Sequence, residues 1–173
     1  MSNPFTDVHN AIWTMLEAHT GFTTYVTAGN RIKFTSAPYA IWESTIGEGD
    51  VPEVAVVMTG MKPLDRPASN ANVLGITWEF WVTTMEQPTA EFYRVQWAIY
   101  RAMAHWETYL RDAVTWGGDS IVWDCNVLSV ATPLATRLKA EQPRDTRLGW
   151  KAAWVYQTAL CFSHSALLAS TGT

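Results

Sequence analysis

Apolar residues recur along the chain at two spacings, and the two divide it into helices and strands. From Asn3 to His19 the positions Phe5, Val8, Ile12, Met15 and Leu16 follow the helical period, with Asp7, Asn10, Thr14 and Glu17 opposite. Pro4 suits a first turn and Gly21 a C-terminal stop. Trp13 falls off this stripe. Ala28-Gly29-Asn30 then reads as a turn and Arg31 to Phe34 as a short strand, followed by a loop from Ser36 to Asp50. Val51 to Thr59 predicts a second strand, and Gly60 to Asn72, with Pro63 and Pro67, an exposed connection. The clearest alternation runs from Val73 to Thr84: Leu74, Ile76, Trp78, Phe80 and Val82 share one face, and only Trp81 breaks the polar character of the other.

Pro88 opens a long helix expected to reach about Asp112. Phe92, Val95, Ile99, Met103, Trp106 and Leu110 stay within about 80° of arc at 100° per residue. A second stripe of Tyr93, Trp97, Tyr100 and Ala104 lies about 130° round from it by the same count. Glu91, Arg94, Arg101 and His105 take the remaining side. After the turn Trp116-Gly117-Gly118-Asp119, a strand is expected from Ser120 to Val130, with Ile121, Trp123, Cys125 and Val127 on one face and Asp124 and Asn126 on the other. Ala131 to Arg147 reads as a polar connection carrying Arg137, Lys139, Arg144 and Arg147, and Gly149 to Ser163 as a long last strand. The order helix, strands, helix, strands predicts an α+β fold: a mostly antiparallel sheet with two helices packed on one face. Residues 1–173 are expected to form a single domain, with 165–173 as a C-terminal extension.

Composition narrows the function classes. The chain is 48% hydrophobic and 16% charged, which excludes a disordered protein, and its longest uninterrupted apolar runs are five residues, Val54 to Met58 and Ala152 to Tyr156. A membrane-spanning helix needs about 20, so none is expected, and the N-terminus lacks the features of a signal peptide. The expectation is a soluble protein made in the cytoplasm. Twelve basic residues against 16 acidic ones give a net charge of −4 without a basic tract, which argues against phosphate-driven nucleic-acid binding. Cys125 and Cys161, far apart in sequence, fit buried thiols better than a disulfide framework or a zinc site.

No catalytic signature appears: neither a nucleophile elbow, nor a phosphate loop, nor a zinc helix. Gly47-Glu48-Gly49 lacks the third glycine of a dinucleotide loop. Glu48, Asp50 and Glu53 lack the alternating oxygen ligands of a calcium loop and read as a solvated turn. Cys161 and His164 have the reach of two metal ligands, but a third is not indicated. His9, His19 and His105 sit apart and read as satisfied or solvated. The expectation is therefore no enzyme, no cofactor and no metal.

Ten tryptophans point instead to contact, because indole buries a large apolar area at modest entropic cost. Trp78, Trp106, Trp123 and Trp154 fit an ordinary core. Trp13, Trp81 and Trp97 lie off their elements' stripes, which leaves a subunit contact and the core both open. Tyr93 and Tyr100, on the second stripe with Trp97, join them as interface candidates.

In this order of elements the chain resembles the tail terminator (tail completion) proteins of long-tailed bacteriophages. The resemblance rests on the first helix, Ala28-Gly29-Asn30-Arg31-Ile32-Lys33-Phe34, Asp50-Val51-Pro52-Glu53-Val54, the strand Thr77 to Thr84, the helix from Pro88 and the closing Arg147-Leu148-Gly149-Trp150. It extends to about His164. It implies a structural virion protein of the tail or neck: a subunit of a homo-oligomeric, hexameric ring that caps the tail tube, ends its polymerisation and joins it to the head connector. The implied partners are the tail tube protein and the head-tail connector protein. DNA would only pass through the lumen, for which an acidic protein is suited, and no membrane is involved. Head-to-tail subunits in a closed ring present two different surfaces to their neighbours, which unmatched aromatic stripes would supply. Arg137, Lys139, Arg144 and Arg147, together with the Gly60 to Asn72 loop, are candidates for docking onto tube or connector, a plain solvated loop being the other reading. A neck, head-completion or minor tail protein is the nearest alternative. A small-ligand binding domain or enzyme with a cleft lined by Trp78, Trp123 and Trp154 is the more distant one.

Overall fold

A computed structural model describes residues 3–33, 52–65, 71–84, 90–130, 134–137 and 148–163. The elements are α1 (Pro4–Ala18), α2 (Thr20–Tyr25), a 3-10 turn at Ala28–Asn30, β1 (Arg31–Ile32), β2 (Glu53–Pro63), β3 (Ala71–Thr84), α3 (Ala90–Met103), a π-helical turn at Glu107–Arg111, β4 (Thr115–Trp116), β5 (Asp119–Ser120), β6 (Val122–Val130), β7 (Leu134–Arg137) and β8 (Leu148–Ser163). The fold is α+β.

Asn3 starts α1 by accepting the Phe5 N–H on its Oδ1 at 3.0 Å, next to a proline that has no N–H to satisfy. The stop comes at His19, whose N–H closes on the Leu16 carbonyl at 3.1 Å, and the chain re-enters a helix at Thr20; Gly21 lies inside α2 rather than ending α1. Arg31 ties β1 to this corner, its Nε and Nη2 reaching the Val26 carbonyl at 3.1 and 2.8 Å and its Nη1 reaching Glu17 at 3.3 Å.

The main sheet has the order β1-β2-β3-β8-β6, with β7 also paired to β8. The β1–β2 contact is parallel and the others are antiparallel. Alternation sends Val54, Val56, Ile76, Trp78, Phe80, Val82, Tyr156, Leu160 and Phe162 toward the helices, where they form one core with the buried residues of α1 and α3. Inside it Trp78 Nε1 donates to Thr158 Oγ1 at 2.9 Å, and Phe80 meets Tyr156 edge-on at 5.0 Å. The opposite face of β2 carries a smaller cluster, Ala55 and Val57, flanked by Ile32 and Trp81.

Several boundaries differ from the sequence expectation for identifiable reasons. β2 continues to Pro63 past a register shift between Met58 and Gly60, so part of the expected Gly60 to Asn72 connection is strand. The expected connection from Ala131 to Arg147 contains β7. Pro88 and the Ser36 to Asp50 loop lie outside the described residues. The long helix keeps its core stripe, with Phe92, Val95, Ile99, Met103 and Leu110 buried, but its α-helical part ends at Met103. A π-helical turn follows, in which the Asp112 N–H reaches the Glu107 carbonyl at 2.9 Å. Gly117 (φ 62°) and Gly118 (φ 94°) then turn β4 into β5, a two-residue loop whose positive φ values match the twist of a hairpin.

Trp123 is corrected from core to surface. β6 shifts register against β8 between Val122 and Asp124, and an inserted residue reverses which side chains face inward. Ile121 and Val122 are therefore both buried, whereas Trp123 is 54% exposed. Trp78 is buried as expected and Trp106 half-buried, while the Trp154 side chain lies outside the described ones.

Candidate subunit interface

Trp13 is also corrected: it is 2% exposed and belongs to the core. The sequence stripe covered one side of α1, but this helix packs against α2, α3 and the π-helical turn as well as the sheet. Val8, His9, Ile12, Trp13, Met15 and Leu16 are all buried, and at 100° per residue they span about 160° of arc. The Trp13 indole meets Phe22 edge-on at 6.4 Å, and the Lys33 ammonium lies 5.9 Å from its ring centroid. Its Nε1 is 3.3 Å from His9 Nε2, which is itself 3.1 Å from the Val56 carbonyl oxygen. One ring nitrogen cannot donate to the carbonyl and accept from the indole at once, so neutral His9 serves one of them at a time. Burial holds His9 below its ordinary pKa, partly offset by the Val56 hydrogen bond.

Trp81 is half-buried beside Ala55 and Val57 on the far face of the sheet, with its Nε1 donating to Glu79 Oε2 at 2.9 Å. It is neither an open surface residue nor part of the main core.

Tyr93, Trp97 and Tyr100 present a continuous aromatic strip on α3, 55%, 59% and 44% exposed. They follow one another at helical i, i+4, i+7 spacing, so their side chains share a face. Trp97 and Tyr100 stack at 5.7 Å with 21° between their planes, and Tyr93 sits edge-on to the buried Phe92 at 5.8 Å. Each ring is thereby partly held before any partner arrives. Arg94 and Arg101, exposed on the same helix, flank the strip; the Arg94 guanidinium lies 6.0 Å from the Tyr25 ring centroid, across the α2–α3 contact.

A groove of about 260 Å³ runs from this strip to β6, lined by Tyr100, Met103, Trp106, Cys125, Val127 and Tyr156 among others. On its β6 side Val127 is 41% exposed. Sequence reading missed Trp123 as surface, because the register shift at that residue has no local signature. The groove is poorly suited to nucleophilic chemistry. Burial, aided by the neighbouring Asp124 carboxylate, pushes the Cys125 thiol up to about 12. Burial, then Cys125 and Tyr100, raises the Tyr156 phenol as well. Both groups are protonated at neutral pH.

A second apolar surface lies toward the β1–β2 side of the sheet. Met58 and Met61 are 43% and 55% exposed, and a cavity of about 370 Å³ opens between the start of α1 and β2, lined by Phe5, His9, Lys33, Val56, Met58 and Trp78 among others. The His19 imidazole is held below its ordinary pKa by burial, then by the nearby Arg101 guanidinium and His105 imidazole. Among the described residues no group of three His, Cys, Asp or Glu side chains is placed to hold a metal ion. Asp50, Glu48 and His164 lie outside them, and Glu53 is buried. Of the docking candidates, Arg137 lies in β7 with its side chain outside the described ones, and Lys139, Arg144 and Arg147 fall outside the described residues. Among the described residues no helix is long and apolar enough to cross a membrane.

No protein-family model matches the chain, and no curated protein matches it by sequence. Its structure is similar to a chain in the virion of a native gene transfer agent particle, with a TM-score of 0.47 and 11% sequence identity over 90% of this chain and 95% of that one.

Proposed function

We propose that the protein is a structural virion component, a subunit of a ring that caps a phage tail tube, ends its polymerisation and joins it to the head connector. The sequence resemblance supplies the role. The observation that carries it in the structure is the aromatic strip of Tyr93, Trp97 and Tyr100, from which a groove leads to the exposed Val127 on β6. Contiguous exposed apolar surface of this kind marks a protein contact, and tyrosine and tryptophan are enriched where such contacts hold most of their energy. The strip adjoins β6, at one end of the strand order, while Met58 and Met61 lie on β2, toward the other. Two unlike surfaces on opposite sides of a subunit are what head-to-tail ring closure needs.

In this reading the α3–β6 face of one subunit meets the β2 side of the next, with Trp81 near that second contact. Arg137, Lys139, Arg144 and Arg147 reach the tube or the connector, and DNA passes through the lumen without specific binding. The protein acts in the virion and needs no cofactor and no catalytic group. Solution mass measurement with electron microscopy tests it: closed rings of this chain that block elongation of tube protein in a mixing assay are the expected result. A strictly monomeric protein at assembly concentrations, with no effect on tube length, would sink the proposal.

A further inference from the structure

β6 is the last strand in the sheet order, and among the described residues its outer side pairs with no other strand. An edge of nine residues is a template for another extended chain, since its outward N–H and C=O groups have no ladder partners. This one is also self-complementary. In an antiparallel pairing of two copies centred on Cys125, position 123 lies opposite 127 and position 124 opposite 126. The regular stretch from Asp124 to Asn126 thus maps onto itself, so β6 of a second copy can pair with it.

Three local features oppose that pairing. The ladder shifts register between Val122 and Asp124 and again between Val127 and Ser129, leaving only a short regular stretch between the two irregularities. At the centre of that stretch, Asp124 Oδ1 accepts the Cys125 N–H at 2.8 Å. Asn126 Nδ2 donates to Asp124 Oδ2 and holds the carboxylate along the strand. We infer that the Asp124–Asn126 pair guards the edge: it occupies a backbone donor that strand addition would use, and places a charge where a second β6 would lie. Association at this face then proceeds through the side chains of α3 and β6 and not through the backbone. The inference stands on the edge geometry alone and holds whatever assembly the wild type forms.

Asp124→Ala removes the guard, while Asp124→Asn keeps an acceptor oxygen for the Cys125 N–H and controls for general disturbance. Asn126→Val, at an exposed position, releases the carboxylate without touching the core and serves if Asp124→Ala does not fold. Solution mass and amide hydrogen exchange along β6 are followed against protein concentration for all four proteins. The expected result is that Asp124→Ala gains a concentration-dependent species absent from the wild type. In it the outward amides of Cys125 and Val127 exchange about tenfold more slowly, the effect of one added hydrogen bond in an otherwise open ladder. Asn126→Val should show the same species in smaller amount, and Asp124→Asn the least of the three. If Asp124→Ala and Asn126→Val keep the wild-type masses, with only faster exchange at Cys125, the carboxylate is a local cap and the guarding role is refuted. If Asp124→Asn instead associates as strongly as Asp124→Ala, the charge and not the occupied donor does the guarding.

Discussion

Replacing Trp97 with alanine separates a residue that holds the subunit together from one that holds subunits to each other. Trp97 is 59% exposed, and its described ring contact is the stack on Tyr100 at 5.7 Å. Losing that stack costs the isolated subunit about 1 kcal/mol. For a chain of this size that lowers the melting temperature by roughly 2–4 °C. Tryptophan presents roughly 250 Å² in all, so about 150 Å² remains to be covered by a neighbour. At ~25 cal/mol per Å² its burial is worth up to ~4 kcal/mol, of which ordering and imperfect packing leave about half. The association constant of each subunit contact should therefore fall roughly 30-fold. Dilution followed by mass measurement reads the association, and thermal unfolding of the dissociated subunit reads the fold. A variant with unchanged assembly midpoint would refute the interface reasoning. So would a loss of ~3 kcal/mol or more in the subunit itself, which would place the indole in the core.

Trp13→Ala should act in the opposite sense, destabilising the subunit by about 3–5 kcal/mol through a cavity between α1, α2 and the sheet, measured by denaturant unfolding. Because His9 and His19 both have folded pKa values below the ordinary 6.5, the unfolded chain binds more protons. Their contribution to stability is complete above pH 6.5 and declines as pH falls from there toward the folded values; His9→Gln should flatten that decline, and an unchanged slope would remove His9 from the account. With its thiol pushed up to about 12, Cys125 should resist alkylation by iodoacetamide at pH 8 in the native protein and react once unfolded; equal rates in both states, read by mass spectrometry, would contradict the burial argument.

What the sequence made legible were the elements whose side-chain pattern is set within the element. The alternation of Leu74 to Val82 identified β3, and the stripe from Phe92 to Leu110 identified the core side of α3. The same count separated Tyr93, Trp97 and Tyr100 from that side, and all three are exposed. Trp13 was not legible because burial on the second side of α1 depends on where α2 and α3 pack, which no local spacing encodes. Trp123 failed for a different reason: one inserted residue in β6 reverses the inward face, and strand alternation has no means to announce it. The β2–β3 hairpin ran longer than predicted because Pro63 ends β2, and only a proline inside a strand's run argues against it.

The position of β8 bears on how the protein comes off the ribosome. β8 is the last described strand in the chain, yet it lies between β3 and β6, with pairs such as Trp78↔Tyr156 that join residues far apart in sequence. α1, α2, α3 and the β2–β3 hairpin consist of residues that emerge early, but β3 has no second neighbour until Leu148–Ser163 arrives. At roughly 5–20 residues per second, the interval between synthesis of β3 and of β8 lasts several seconds. Throughout it the β3 edge is unfilled, and once β6 is made a second edge waits for β8 as well. Slow synthesis between residues 84 and 148 should therefore raise the fraction bound by chaperones.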